Sequence, residues 1–378
     1  MSNLVLPIVN LALAIVISGL FIASLGEDPF QAASLLLYGA FGYGEGFGYT
    51  LYYATNFMFT GLAVAVAFHA GLFNIGGEGQ AYLGGLGVGL ALLLMPPGLA
   101  LILAVPLGAG AALLFGAACA AIPAWLQARR NAHIVITTIM FNFLVSALMV
   151  YLMVNHLREP GQMSPASRNF DPSLHLPGLH FMFEPLGIEL DSAPLNISFL
   201  LALAILAASW VFIWRTRTGF EIRTIGAQPT AAIYAGIAQS RVVMYAMLLS
   251  GALAGMAGLN EIMGHLHRLQ LDFAAGYGFT GIAVALMGRN HPAGILLASL
   301  LFGALYQGGA ELSFDMEGVT RDLVVVIQGL VILFSGALEF MLHKPIHRLF
   351  GKRAAKPGQD RNNPGPKPSP DNNESRSS

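Results

Sequence analysis

The stretch Phe68-His-Ala-Gly-Leu-Phe-Asn-Ile-Gly-Gly-Glu-Gly-Gln-Ala81 sets His69, Asn74, Glu78, Gln80 and four glycines inside an otherwise apolar tract. A carboxylate such as Glu78 accepts hydrogen bonds from hydroxyl groups, and Asn74 and Gln80 can both donate and accept. Gly71, Gly76, Gly77 and Gly79 give the backbone the freedom to interrupt a helix. Interruption frees amide and carbonyl groups, which can bind a polar solute inside a membrane protein. Phe68, Phe73 and Tyr82 add faces on which a base or sugar ring can stack. This chemistry is solute recognition and passage, with Phe68, Asn74, Gly76, Gly77, Glu78 and Gln80 as path-lining candidates. The same residues also fit tight helix packing through small side chains, with Glu78 paired to a neighbour.

Other polar residues stand in apolar surroundings. Asn142 lies mid-span in Thr137-Thr-Ile-Met-Phe-Asn-Phe-Leu144, and Asn260 opens Asn260-Glu-Ile-Met-Gly-His-Leu-His-Arg268. Either can face the path or bond a neighbouring helix. Glu261 and His265, four apart, would share a helical face as a satisfied pair or a proton relay. His265 and His267, at i and i+2, point to different faces, and Cys119 is the single cysteine, so no metal site is expected. Gly276, Gly278 and Gly281 form a second glycine-interrupted stretch about 200 residues after the first. Two broken segments in separate halves fit an internal repeat about a central path, and equally close packing at a subunit interface.

These residues need a membrane to be placed in. The chain of 378 residues is 55% hydrophobic and 10% charged, against roughly a quarter charged in soluble proteins. Mean hydropathy is +0.65, and the apolar runs do not alternate as barrel strands would. A polytopic all-α membrane protein follows, and no nucleic acid is expected as a partner. At about 20 residues per span, ten candidates emerge: 4–25, 51–70, 78–95, 99–122, 132–155, 195–214, 242–264, 274–288, 293–310 and 321–342. Leu35 to Tyr49 reads as an interfacial or re-entrant piece. The first run has no basic leader and no clean cleavage site, so it reads as a retained span.

Arg129, Arg130, Arg215, Arg217, Arg223, Arg241, Arg289 and Lys344 to Lys356 fall on one side if ten spans alternate. The positive-inside bias makes that side cytoplasmic, with both termini inside a plasma (inner) membrane. The Pro-rich 156–194 loop is then external, as an ordered cap or docking surface. Residues 1–350 form the transmembrane domain. Residues 351–378 switch to Pro, Asn, Lys, Asp and Ser and are expected to be disordered, with their basic start against anionic lipid.

The cytoplasmic 215–241 loop holds Pro229 where it suits the first turn of a short helix over Thr230–Ala235, stopped by Gly236. Such a helix can dock a soluble partner or lie along the interface. No Gly-x-x-x-x-Gly-Lys-Ser/Thr run occurs, so the chain is not expected to hydrolyse ATP.

Three motifs together resemble the permease subunits of ABC importers. They are Gly71-Leu-Phe-Asn-Ile-Gly-Gly-Glu-Gly-Gln80, the loop Arg217-Thr-Gly-Phe-Glu-Ile-Arg223 through Gly236, and Gly276-Tyr-Gly-Phe-Thr-Gly-Ile-Ala-Val-Ala-Leu-Met-Gly-Arg-Asn-His-Pro-Ala-Gly294. The resemblance spans about Asn56 to Phe334 and is to the nucleoside and simple-sugar branch, related to ribose and branched-chain amino-acid permeases. It implies inward translocation by alternating access, energised by a separate ATPase subunit that carries ATP and Mg. It further implies a second related permease and an external substrate-binding lipoprotein. It makes the 218–236 segment a coupling helix, with Gly219, Glu221, Arg223, Pro229, Ala231, Ala232 and Gly236 as its residues. Two other readings of the residues stay open: an ion-coupled secondary transporter using Glu78 and Glu261, and a non-transporting membrane scaffold.

Overall fold

The computed structural model describes residues 13, 16–24, 26–187, 190, 192–316, 319, 320, 323–330 and 333. The tail 351–378 and most of the expected first and last spans lie outside them. The described residues form an all-α membrane protein, with six helices long and apolar enough to cross a bilayer.

The helices that position the site are α1 (Pro29–Phe41), α2 (Gly44–His69), α3 (Gly77–Leu94), α4 (Leu101–Arg130), α5 (Ile134–Leu152) and α6 (Ser198–Arg215). They continue with α7 (Arg217–Ala227), α8 (Pro229–Tyr234), α9 (Gln239–Glu261), α10 (Tyr277–Met287) and α11 (Pro292–Asp315). Two of the boundaries that differ from the sequence reading do so for local reasons. The second span starts at Gly44, where the glycines that dilute hydropathy are packing sites: a Cβ on Gly46 would run into the Gly39 carbonyl, and Thr50 Oγ1 donates to the Ala40 carbonyl at 2.9 Å, tying α1 to α2. The fourth runs on to Arg130 through Pro123 inside the helix, where Asn131 in the left-handed region stops it.

α2 and α9 form the core. α9 packs on α4, α3 and α2, while α2 also packs on α11 and α10. A Cβ on Gly251 of α9 would fall 2.4 Å from the Gly116 carbonyl oxygen of α4, so these backbones meet only because both positions lack side chains. Contacts from Gly108 to Leu259 and from Ala120 to Gly251 run α4 antiparallel to α9. Arg129 and Arg130 therefore share an end of the bundle with the α7–α8 segment.

At the opposite end, α5 and α9 each finish in a π turn, Met153–Leu157 and Ile262–Leu266. Within the 156–194 segment, residues 167–176 are strapped down as a cap. The amides of Ser167, Phe170 and Leu176 donate to the carbonyls of Leu269, His267 and Met263 at 2.8–3.0 Å.

Candidate functional site

The two glycine-interrupted stretches meet. α2 runs the length of the bundle to His69, and the chain doubles back through 70–76 and restarts as α3 at Gly77. α9 leaves its π turn, crosses through 267–276 and restarts as the 11-residue α10. A Cβ on Gly278 would lie 2.0 Å from the Glu78 amide nitrogen, so the first turns of α3 and α10 touch backbone to backbone. Gly281 abuts Thr60, and the rings of Tyr277 and Phe57 sit 5.7 Å apart. Phe57 and Thr60 fall near the middle of α2, which places this crossing at mid-depth of the bundle.

Each helix start leaves amides that hydrocarbon cannot satisfy, and side chains from other elements cap them. Glu78 accepts from the Gly276 amide through Oε1 at 2.9 Å and from the Gly278 amide through Oε2 at 2.8 Å. Its carboxylate thus sits at the N-termini of both α3 and α10, where two helix dipoles favour negative charge. Asn142 of α5 accepts from the Gly79 amide and donates to the Ile75 carbonyl, both at 2.9 Å, spanning the break before α3. Asn74 accepts from the Gly76 amide at 2.9 Å and donates to Gln80 at 2.9 Å and to Ser250 Oγ at 2.8 Å. Ser250 in turn donates to the Ala63 carbonyl of α2 at 2.6 Å.

Their exposure separates these groups. Asn74 and Gln80 are 0% and 1% exposed, so their hydrogen-bonding capacity is used inside the protein. Gly76 and Gly77 are buried, while Phe68, Phe73, Glu78 and Asn142 are only partly covered. Asn260 is placed apart, in the half of the bundle beneath the cap. It accepts from Asn196 and Ser198 at 2.9 and 2.6 Å and donates to Asn56 at 2.9 Å. The adjacent Glu261, 4% exposed, is bonded by Tyr52, Asn56 and Tyr277. It does not pair with His265, because the π turn that begins at Ile262 breaks the four-residue spacing the pairing assumed. Asn56, Tyr52, Ser250 and Tyr277 were not picked out from the sequence. Asn56 and Ser250 carried a readable signal as polar residues in apolar spans. The two tyrosines did not.

The 215–241 segment is an elbow of two helices. Thr216 caps α7 by accepting from the Gly219 amide at 3.1 Å, and Gly219 lies directly against the Phe212 and Ile213 carbonyls. Arg223 donates through Nε to the Ile213 carbonyl at 3.1 Å near the end of α6. Glu221 pairs with Arg217 at 3.2 Å. Pro229 opens α8, Ala232 is buried beneath it, and Gly236 follows it with φ +81°. Ala231 is exposed, with Phe220, Ile233 and Tyr234 as large apolar side chains on the elbow's surface. Among the described residues, no cluster of three His, Cys, Asp or Glu could hold a metal.

A membrane bundle built around two interrupted helices that cap each other at mid-depth is the architecture of a solute permease. Residues 46–336 match the family of branched-chain amino acid transport system permease components, and the chain belongs to it. It is 35% identical to the glucose ABC transporter permease protein TsgB13 of Haloferax volcanii, over 92% of this chain and 90% of that protein. It is 34% identical to the guanosine ABC transporter permease protein NupP of Bacillus subtilis, over 91% and 97%. The nucleoside ABC transporter permease protein NupB of Lactococcus lactis is 30% identical over 90% and 94%. No solved structure matches the chain significantly.

Proposed function

We propose that this chain is the transmembrane permease subunit of an ATP-driven ABC importer that moves nucleosides or related simple sugars inward by alternating access. The elbow of α7 and α8 carries the reading. It stands at the arginine-rich end of the bundle and presents Phe220, Ile233 and Tyr234, which are 56%, 53% and 89% exposed. Apolar side chains gathered at a polar end fit the groove of a separate ATPase, which brings its own ATP and Mg. That end faces the cytoplasm, with both termini inside. The cap at the other end receives an external binding lipoprotein. A second, related permease completes the path, and lipid covers the remaining apolar faces.

Solute passes on the partly covered side of the mid-depth crossing, beside Glu78 and Asn142, and on past Phe73 and Phe68 toward the arginine-rich end. Asn74, Gln80 and Asn260 support from behind. The Asn142 amide, the Glu78 oxygens as acceptors for hydroxyl groups and the aromatic faces of Phe68 and Phe73 fit a ribosyl or glucosyl solute. The preference of nucleotide for the closed ATPase pair supplies the work.

Reconstitution of the permease pair with its ATPase and binding protein in proteoliposomes tests the reading. Uptake of labelled adenosine or glucose must require ATP inside the protein's cytoplasmic compartment and survive an ionophore. Uptake that persists without ATP and collapses with the ionophore would instead establish the ion-coupled reading built on Glu78 and Glu261.

A further inference from the structure

Three backbone segments converge at the arginine-rich end, directly beneath the mid-depth crossing. A Cβ on Gly226, in the last turn of α7, would fall 2.2 Å from the His69 carbonyl oxygen and 2.9 Å from the Gly71 amide nitrogen. His69 Nε2 lies 3.0 Å from the Asn290 carbonyl oxygen in the loop that ends α10. The His69 ring is also edge-on to Trp214 of α6 at 5.2 Å. The elbow therefore rests on the turn that ends α2, and that turn rests on the end of α10.

The same two segments are joined again at mid-depth, where Glu78 holds the Gly276 and Gly278 amides. The 70–76 segment and α10 thus each connect the same two joints, His69–Asn290 below and Glu78–Gly278 above. At 1.5 Å per residue, α10 is about 16 Å long, a rigid strut between the two joints. Displacement of His69 by α7 must reach Glu78 through one or both arms of this closed ring.

The lower joint is also strained. Arg289 and Asn290 are consecutive non-glycine residues in the left-handed region, at φ +53° and +54°. The Asn290 Oδ1 atom is buried without a hydrogen-bond partner among the described residues. Stored strain and an unsatisfied polar atom mark segments with a second arrangement to move into.

We propose that Gly226, His69 and the Arg289–Asn290 loop form the transmission joint that couples the α7–α8 elbow to the mid-depth crossing. This rests on the ABC-importer reading above. Gly226 and His69 are positioning residues in it: they pass motion and touch no solute. Gly226 is glycine because α7 must bear on the His69–Gly71 backbone with no side chain between them.

The test is the number of solute molecules imported per ATP hydrolysed in the reconstituted importer, for wild type, Gly226→Ala and His69→Ala. The joint predicts that both variants still co-purify with the ATPase and hydrolyse ATP while solute per ATP falls by about fivefold or more. His69→Gln, which keeps a donor toward the Asn290 carbonyl, should recover most of the ratio. If solute per ATP stays at the wild-type value while both rates fall together, the contact is merely structural and the proposal fails. Should Gly226→Ala not assemble, the His69→Ala and His69→Gln pair decides by the same ratio. Wild-type protein that shows no ATP-dependent uptake would overturn the importer reading itself, a result distinct from either outcome.

Discussion

At the scale of single residues, the crossing depends on side chains that cap a helix other than their own. Glu78→Gln keeps one oxygen for a glycine amide and places an NH2 donor against the other. Charge-assisted bonds of this kind contribute about 1.5–3 kcal/mol each, so the detergent-purified permease should lose roughly that much stability. The loss is read as a lowered midpoint of thermal unfolding, with uptake falling in parallel. Asn142→Ala leaves the Ile75 carbonyl and the buried Gly79 amide without the side chain that pairs them and should cost about 1–3 kcal/mol in the same assay. A wild-type midpoint in both variants would show that neither side chain holds the break. The sequence made Glu78 and Asn142 visible as polar groups in hydrocarbon, where each needs a partner. It could not say which partner, since the glycine amides they bond are anonymous in a sequence. Asn74 and Gln80 looked equally available to a solute, yet they bond to each other across five intervening residues through a turn whose geometry no spacing rule encodes.

At the scale of elements, the long helices from α2 onward were legible from hydropathy, but their ends were not, and neither was α1, which lies between two expected spans. Glycine-rich starts such as Gly44 to Gly48 look weak by composition, yet serve as close-packing sites, and the span read as 99–122 continues through Pro123 to Arg130. The π turn after α9 was the least legible, because one extra residue per turn leaves no mark on composition. It carries His267 into the left-handed region at φ +54° beneath the cap. There the His267 ring stacks on His175 at 3.6 Å. Burial first, and the neighbouring His175 and His265 next, push His267 from the ordinary 6.5 down to about 4. Below pH 6.5 the unfolded segment binds a proton that the folded cap resists. The contribution of His267 to the cap is therefore at full strength above pH 6.5, falls as pH drops toward about 4 and is constant below that. Hydrogen exchange at the Phe170 and Leu176 amides, corrected for intrinsic rates, should quicken across that window, and His267→Gln should flatten the response. A flat wild-type profile would remove His267 from the cap's stability. On the elbow, Gly236→Ala forces a side chain into the left-handed region in open space, at about 1–2 kcal/mol. Elbow geometry and ATPase co-purification should suffer while the membrane bundle holds.

At the scale of the whole molecule, burial divides the helices sharply. The apolar stretches of α2 and α9 are 89% and 72% buried, those of α4 and α5 only 22% each. Leu103, Leu107 and Leu114 of α4 and Phe143 and Leu144 of α5 face outward. Lipid tails are as apolar as these side chains, so the bundle gains little from hiding them. Cohesion has to come from close backbone packing and polar bonds in the middle. That is where the glycine contacts, the Glu78 caps and the Asn56–Asn260–Glu261 network lie. A lysine placed on each helix separates the two roles. In Leu114→Lys the charge meets lipid and costs about 2.5–3.5 kcal/mol on insertion. Its long stem reaches toward the interface, so the amount in the membrane drops but the inserted protein still assembles. In Val64→Lys the charge is sealed between α2 and its neighbours, where Val64 is fully buried and, among the described residues, no carboxylate bonds to α2 at that level. The protein inserts through its other spans but fails to pack, and is cleared by proteolysis or runs as an aggregate on size exclusion. Equal behaviour of the two variants would mean that the polar and glycine contacts at the centre do not hold the permease together.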